Sequence, residues 1–128
     1  RRERQRLAQV RVDDHLAGID KQTVMLFQAL REKILSLDES IIEEAKAKYV
    51  AYKTSTNFTD IVVEQYGLKI FLNVKSGQLN DPQKLARDLT QPKPIGHWGN
   101  GDYEVKLKKD SELEAVFALI KQSYDLNK

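Results

Sequence analysis

KYVAYKTSTNFTDIVVEQYGLKIFLNVK, residues 48–75, is the stretch on which the fold turns. It holds three runs of strand-forming residues: KYVAYK, FTDIVVEQ and LKIFLNVK. They are separated by the turn cluster TSTN and by the corner Gln65-Tyr66-Gly67. In the third run Leu68, Ile70, Leu72 and Val74 alternate with Lys69, Phe71, Asn73 and Lys75. Alternation of this kind marks an antiparallel sheet with one buried face, and the short turns predict a three-strand meander.

Outward from the meander the period changes from two to that of a helix. Upstream, IDKQTVMLFQALREKILSLD carries Val24, Phe27, Leu30, Ile34 and Leu37 as one apolar stripe behind Asp20, a residue suited to cap a helix. SIIEEAKAK is expected as a short helix, with Ser40 and Glu43 forming a capping box. VDDHLAG, before the first helix, is a short polar segment that Gly18 should stop. Downstream, NDPQKLARDL is expected as a helix capped by Asp81, with Pro82 in its first turn and Leu85 and Leu89 on one side. TQPKPIGHWGNG breaks both periods, YEVKLK alternates as a fourth strand, and SELEAVFALIKQSYDL closes the chain as a helix. Ser111 and Glu114 suggest its capping box, and Leu113, Val116, Phe117, Ile120 and Tyr124 its buried stripe. The expected fold is α+β, a four-stranded antiparallel sheet (a three-strand meander plus one strand) with helices on one face. Residues 20–128 would form the domain and residues 1–19 a basic arm or linker.

A chain of 128 residues with 41% hydrophobic content suits one domain. It has no apolar run of membrane-spanning length and no signal-peptide core, and zero Cys excludes disulfides, zinc fingers and thiol catalysis. A cytoplasmic setting is therefore expected. The first residue is Arg rather than Met, so an upstream module is expected too. Charge is unevenly placed. Residues 1–11 hold five Arg (Arg1, Arg2, Arg4, Arg6, Arg11) against Glu3, a net of +4. The other 117 residues carry 16 basic and 18 acidic groups, a net of −2. The body is not a basic domain, and a polybasic arm is only a weak phosphate-binding signal.

Gly96, Gly99 and Gly101 cluster around His97 and Trp98, the single tryptophan. Phosphate-cradling glycine loops run from a strand into a helix, whereas these run from a proline-rich loop into a strand. Asn100-Gly101 reads simply as a tight turn into YEVKLK. A second reading uses the side chains: His97, Trp98, Asn100 and Asp102 would offer stacking and hydrogen bonding together, as base-recognition pockets do. Tyr49 and Tyr52 fall on opposite faces of KYVAYK, one for the core and the other, with Lys48 or Lys53, for an exposed groove. The ligand-binding candidates are thus Tyr49, Tyr52, Lys53, His97, Trp98, Asn100 and Asp102.

Catalysis has little support. His15 and His97 lie far apart, no H-E-x-x-H pairing occurs, and no Ser sits in a G-x-S-x-G elbow. Asp60, Glu64 and Lys69 roughly suit a magnesium-dependent nuclease, but such residues on a half-exposed meander are expected as a solvated face. No catalytic residue, metal or cofactor is expected.

VDDHLAG, the LFQALREKILSLDESIIEEAKAKYVAYKTSTNFTDIVVEQYGLKIFLNVK block, LNDPQKLARDLT and GHWGNGDYEVKL with its closing helix together resemble one family. It is the domain-of-unknown-function family numbered five-six-five-five, once labelled "predicted transport protein". The similarity runs from Val12 across nearly the whole chain, with YVAYK, NF and GHWGNGD as its signature. The resemblance implies a C-terminal accessory domain appended to nuclease or restriction-endonuclease-like modules, and it supplies no catalytic residues. The expected function is a non-catalytic domain that helps an upstream nuclease-like partner engage nucleic acid, with modified DNA as one candidate ligand. The alternative is a protein-interaction or dimerisation domain presenting an apolar strip such as Phe71. No membrane association is expected.

Overall fold

The computed structural model describes residues 10–95 and 101–128. Six strands form one antiparallel sheet: β1 (Ile42–Ala45), β2 (Val50–Lys53), β3 (Asn57–Glu64), β4 (Gly67–Leu72), β5 (Ala86–Asp88) and β6 (Tyr103–Leu107). Their order is β1-β2-β3-β4-β6-β5. The predicted meander is β2, β3 and β4, and the predicted fourth strand is β6, paired with β4 through Leu68↔Leu107 and Ile70↔Val105.

The sheet therefore has six strands rather than four, and both additions replace expected helices. In SIIEEAKAK the capping box does not form. Ser40 instead turns through its own N–H to Asp38 Oδ1 (2.9 Å), and Ile42–Ala45 runs on as an edge strand against β2. In NDPQKLARDL, Asp81 caps a turn instead of a helix. Its carboxylate accepts from the Leu85 and Ala86 N–H groups at 3.0 and 2.8 Å, and Lys84 takes a left-handed φ of 54°. That geometry ends the turn after one cycle and aims the chain into β5, the other edge.

Among the described residues, three α-helices and a short 3₁₀ turn accompany the sheet: α1 (Val12–Leu16), α2 (Lys21–Leu35), the 3₁₀ turn Asp110–Glu112 and α3 (Leu113–Asn127). The expected polar segment before Gly18 is thus helical in part. Val12 and Leu16 pack against the core, and Gly18 follows at φ 73°. Asp20 does cap α2, accepting from Gln22 N at 3.1 Å. At α3 the start is set by Glu112 rather than by Ser111 and Glu114: Glu112 Oε1 accepts from Lys109 N at 3.3 Å, while Glu114 pairs with Lys33 at 2.5 Å.

One core holds the layers together. Leu26, Phe27, Leu30 and Ile34 of α2 and Val116, Leu119, Ile120 and Tyr124 of α3 meet Ile61, Leu68, Ile70, Leu72, Val105 and Leu107 of the sheet. The β3–β4 corner anchors the start of α2, because Gln65 Oε1 accepts from Asp20 N (3.0 Å) and Gln65 O from Thr23 Oγ1 (3.1 Å).

Candidate functional site

Cross-strand partners share a face, so the register defines the side of the sheet away from this core. One row crosses the entire sheet: Glu44, Ala51, Asp60, Phe71, Glu104 and Arg87. A second row sets Val62, Lys69 and Lys106 side by side. Ala51, Asp60 and Phe71 are buried yet stand outside the main core cluster, whereas Lys106 and Arg87 are exposed.

Two sequence expectations are corrected here. Asp60 is not a solvated face residue: it is 2% exposed, and its Oδ1 accepts from Asn57 Nδ2 at 3.0 Å. Phe71 is not an exposed apolar strip, being 4% exposed. Glu64, at the end of the same strand, reaches Lys69 Nζ at 3.8 Å. Among the described residues, no group of three or more His, Asp or Glu could hold a metal ion.

The predicted ligand residues separate. Tyr49 is half-buried in the β1–β2 turn, where its carbonyl accepts from Lys46 N at 2.7 Å; alternation with Ala51 puts it on the open side. Lys53 lies on that side too, its Nζ 3.0 Å from Glu44 Oε1. Tyr52 faces the other way: it is 0% exposed, and its hydroxyl donates to Glu43 Oε2 at 2.7 Å. Burial, then this hydrogen bond, pushes its phenol above the usual range, so it is a core residue with a tethered hydroxyl.

Asp102 is a structural staple. Its Oδ2 accepts from Ser76 N (2.8 Å), while its backbone bonds Val74 O and Leu89 N. Ser76 Oγ in turn donates to Asp88 at 2.5 Å. Bonds from Ser76 and Thr90 hold the Asp88 carboxyl below its ordinary range. Gly101 beside it has φ 85°, and a Cβ there would stand 2.2 Å from Leu72 O. The tight-turn reading of Gly101 thus has a second cause, close approach to the end of β4. His97, Trp98 and Asn100 lie outside the described residues.

Sequence reasoning missed Lys106 and Arg87 as companions of Lys53 and Lys69. The alternation of YEVKLK placed Glu104, Lys106 and Lys108 on one side. The neighbours of that side became visible only when β6 was found between β4 and β5.

Residues 12–127 match the family described as Domain of unknown function (DUF5655). The chain belongs to this family. The DUF5655 match begins at the first residue of α1 and takes in the whole sheet. A Haemophilus influenzae relative, named "Uncharacterized protein", is 38% identical over 110 residues, 86% of this chain and 35% of the relative. The chain thus spans about a third of the length of that relative. No solved structure matches it. Among the described residues of this DUF5655 chain, no helix is long and apolar enough to cross a membrane.

Proposed function

We propose that this domain is a non-catalytic nucleic-acid-binding module, an accessory to a nuclease-like partner, and that the open side of its sheet meets the ligand. The observation that carries the reading is the set of side chains there. Tyr49, Lys53, Lys69, Lys106 and Arg87 share the face opposite the helix-packed core, around a centre where Ala51, Asp60 and Phe71 are buried. Aromatic and basic groups interleaved on a sheet suit exposed bases and their backbone: rings stack on bases and cations follow phosphates. The accessory role rests on the family resemblance, and the greater length of the Haemophilus influenzae relative is compatible with it. Outside the arm the body carries a net −2, so affinity should be modest, and strongly salt-dependent through the arginines of the arm.

Labelled single-stranded, duplex and base-modified DNA titrated against the whole chain tests this. Single strands should bind best. Tyr49→Ala should weaken them by about 1–3 kcal/mol, with the melting temperature little changed. No binding to any of the three, together with a concentration-dependent dimer in ultracentrifugation, would replace the reading with an interaction domain.

A further inference from the structure

Lys69 and Lys106 are direct cross-strand partners in the β4–β6 pair. Like charges set opposite one another in a sheet are destabilising, and little nearby relieves them. The Glu64 carboxylate reaches Lys69 only at 3.8 Å, and Lys106 has no ion pair among the described residues. Lys108 follows the last residue of β6. Its stem lies over Gly67, so close that a Cβ on Gly67 would stand 2.9 Å from Lys108 Cγ. Gly67 also precedes Lys69 by one alternation on β4. The register thus gathers Lys69, Lys106 and Lys108 at one corner of this face, with Glu64 on the adjoining end of β3, Glu104 one alternation before Lys106, and Glu112 Oε1 at 3.3 Å from Lys108 N.

We propose that this corner is a phosphate-binding subsite that takes the backbone of a single nucleic-acid strand. The inference rests on the nucleic-acid reading above and adds to it the place where charge is read. An anion bridging Lys69 and Lys106 neutralises the repulsion that the sheet otherwise carries. Lys108, whose stem occupies the space left by the absence of a side chain at Gly67, extends the cationic track past the end of β6. Lysine presents a point charge on a flexible stem, so the corner attracts phosphate without selecting a base.

The test uses the whole chain and a labelled oligothymidylate over a range of salt concentrations. The triple variant Lys69→Gln/Lys106→Gln/Lys108→Gln should bind roughly tenfold or more weakly at low salt, with the slope of log K against log salt reduced by about 2. Lys21→Gln/Lys121→Gln, on the helical side, should leave the slope unchanged. Lys106→Glu should raise the melting temperature, since it turns a repulsive pair into an attractive one, and should weaken binding at the same time. Oligothymidylate binding with an unchanged slope in the triple variant would overturn the phosphate corner and leave the nucleic-acid reading standing. A loss confined to the lysine variants, with Tyr49→Ala silent, would keep the corner and remove the stacking role of Tyr49. No binding by the unaltered chain would remove both, and a lower melting temperature in Lys106→Glu would refute the repulsion on which the corner rests.

Discussion

Arg31 of α2 grips Glu43 of β1 with two prongs, Nε to Oε2 at 2.6 Å and Nη2 to Oε1 at 2.8 Å. The Tyr52 hydroxyl completes the site from β2. Glu43 is therefore held by a helix on one side and a neighbouring strand on the other. The glutamate that suggested a capping box is the residue that locks β1 onto the sheet.

Removing this carboxylate should be costly, because its side chain is 14% exposed and that of Arg31 only 35%. Glu43→Ala leaves the Tyr52 hydroxyl buried without its acceptor and should lower stability by about 2–3 kcal/mol in urea unfolding. Glu43→Gln keeps an acceptor for Tyr52 and should lose less.

The pH dependence has a definite sign. Burial pushes the Glu43 carboxyl up, but hydrogen bonds from Arg31 and Tyr52 outweigh it and hold it below its usual value. A depressed folded value means that this stabilisation is present above the unfolded carboxyl's range, about 4.3. It disappears as pH falls through the folded value. Asp88 and Asp38 are lowered as well, so stability should decline below about pH 4.5. Glu43→Gln should decline less steeply there. At the alkaline end the raised Tyr52 phenol acts in the opposite sense: its contribution is complete below about pH 10 and is lost above it. Thermal melting across both ranges checks these expectations.

Gly101→Ala should destabilise the domain by at least about 2 kcal/mol, through left-handed backbone and a backbone clash together. The added Cβ would meet Leu72 O, Asn73 Cα and Val74 N at 2.2, 2.5 and 2.7 Å, all main-chain atoms with little room to move. Gly77→Ala separates the two effects, since φ is 86° there and nothing lies within 4 Å of the new Cβ. It should lose about 1 kcal/mol, as read by chemical denaturation.

Ser123 joins α3 to the start of the meander. Its hydroxyl donates to Phe58 O and accepts from Asn73 N at 3.1 Å, within a side chain that is 0% exposed. Asn73 and Asn127 bond one another reciprocally nearby, at 3.1 and 2.9 Å. Ser123→Ala should lower stability by about 0.5–1.5 kcal/mol, since Phe58 O and Asn73 N keep the 3.2 Å bond between them when the hydroxyl is lost. Ser55→Ala, at an exposed contact with Asn127 O, should change it by less than about 0.5 kcal/mol. Paired unfolding curves distinguish the two.

Local patterning alone determined the middle of this protein. The alternation in residues 48–75 placed Leu68, Ile70 and Leu72 on one side, the stripe around Phe27, Leu30 and Ile34 marked α2, and YEVKLK marked β6. These segments are long enough, or regular enough, for burial of one face to choose their period. The two edge strands were decided by tertiary structure. Ile42–Ala45 is short and rich in residues that helices accept, and what makes it extended is pairing with β2 and the grip of Arg31 on Glu43. Ala86–Asp88 is shorter still, and a left-handed Lys84 and the pairing with β6 define it. The candidate site divides in the same way. Alternation put Lys69 on the side away from the core and Tyr49 and Tyr52 on opposite faces, and the burial of Tyr52 decided which of the two is core. The meeting of Lys69 with Lys106 depends on which strands lie side by side, and pairing between distant segments leaves no local period to read.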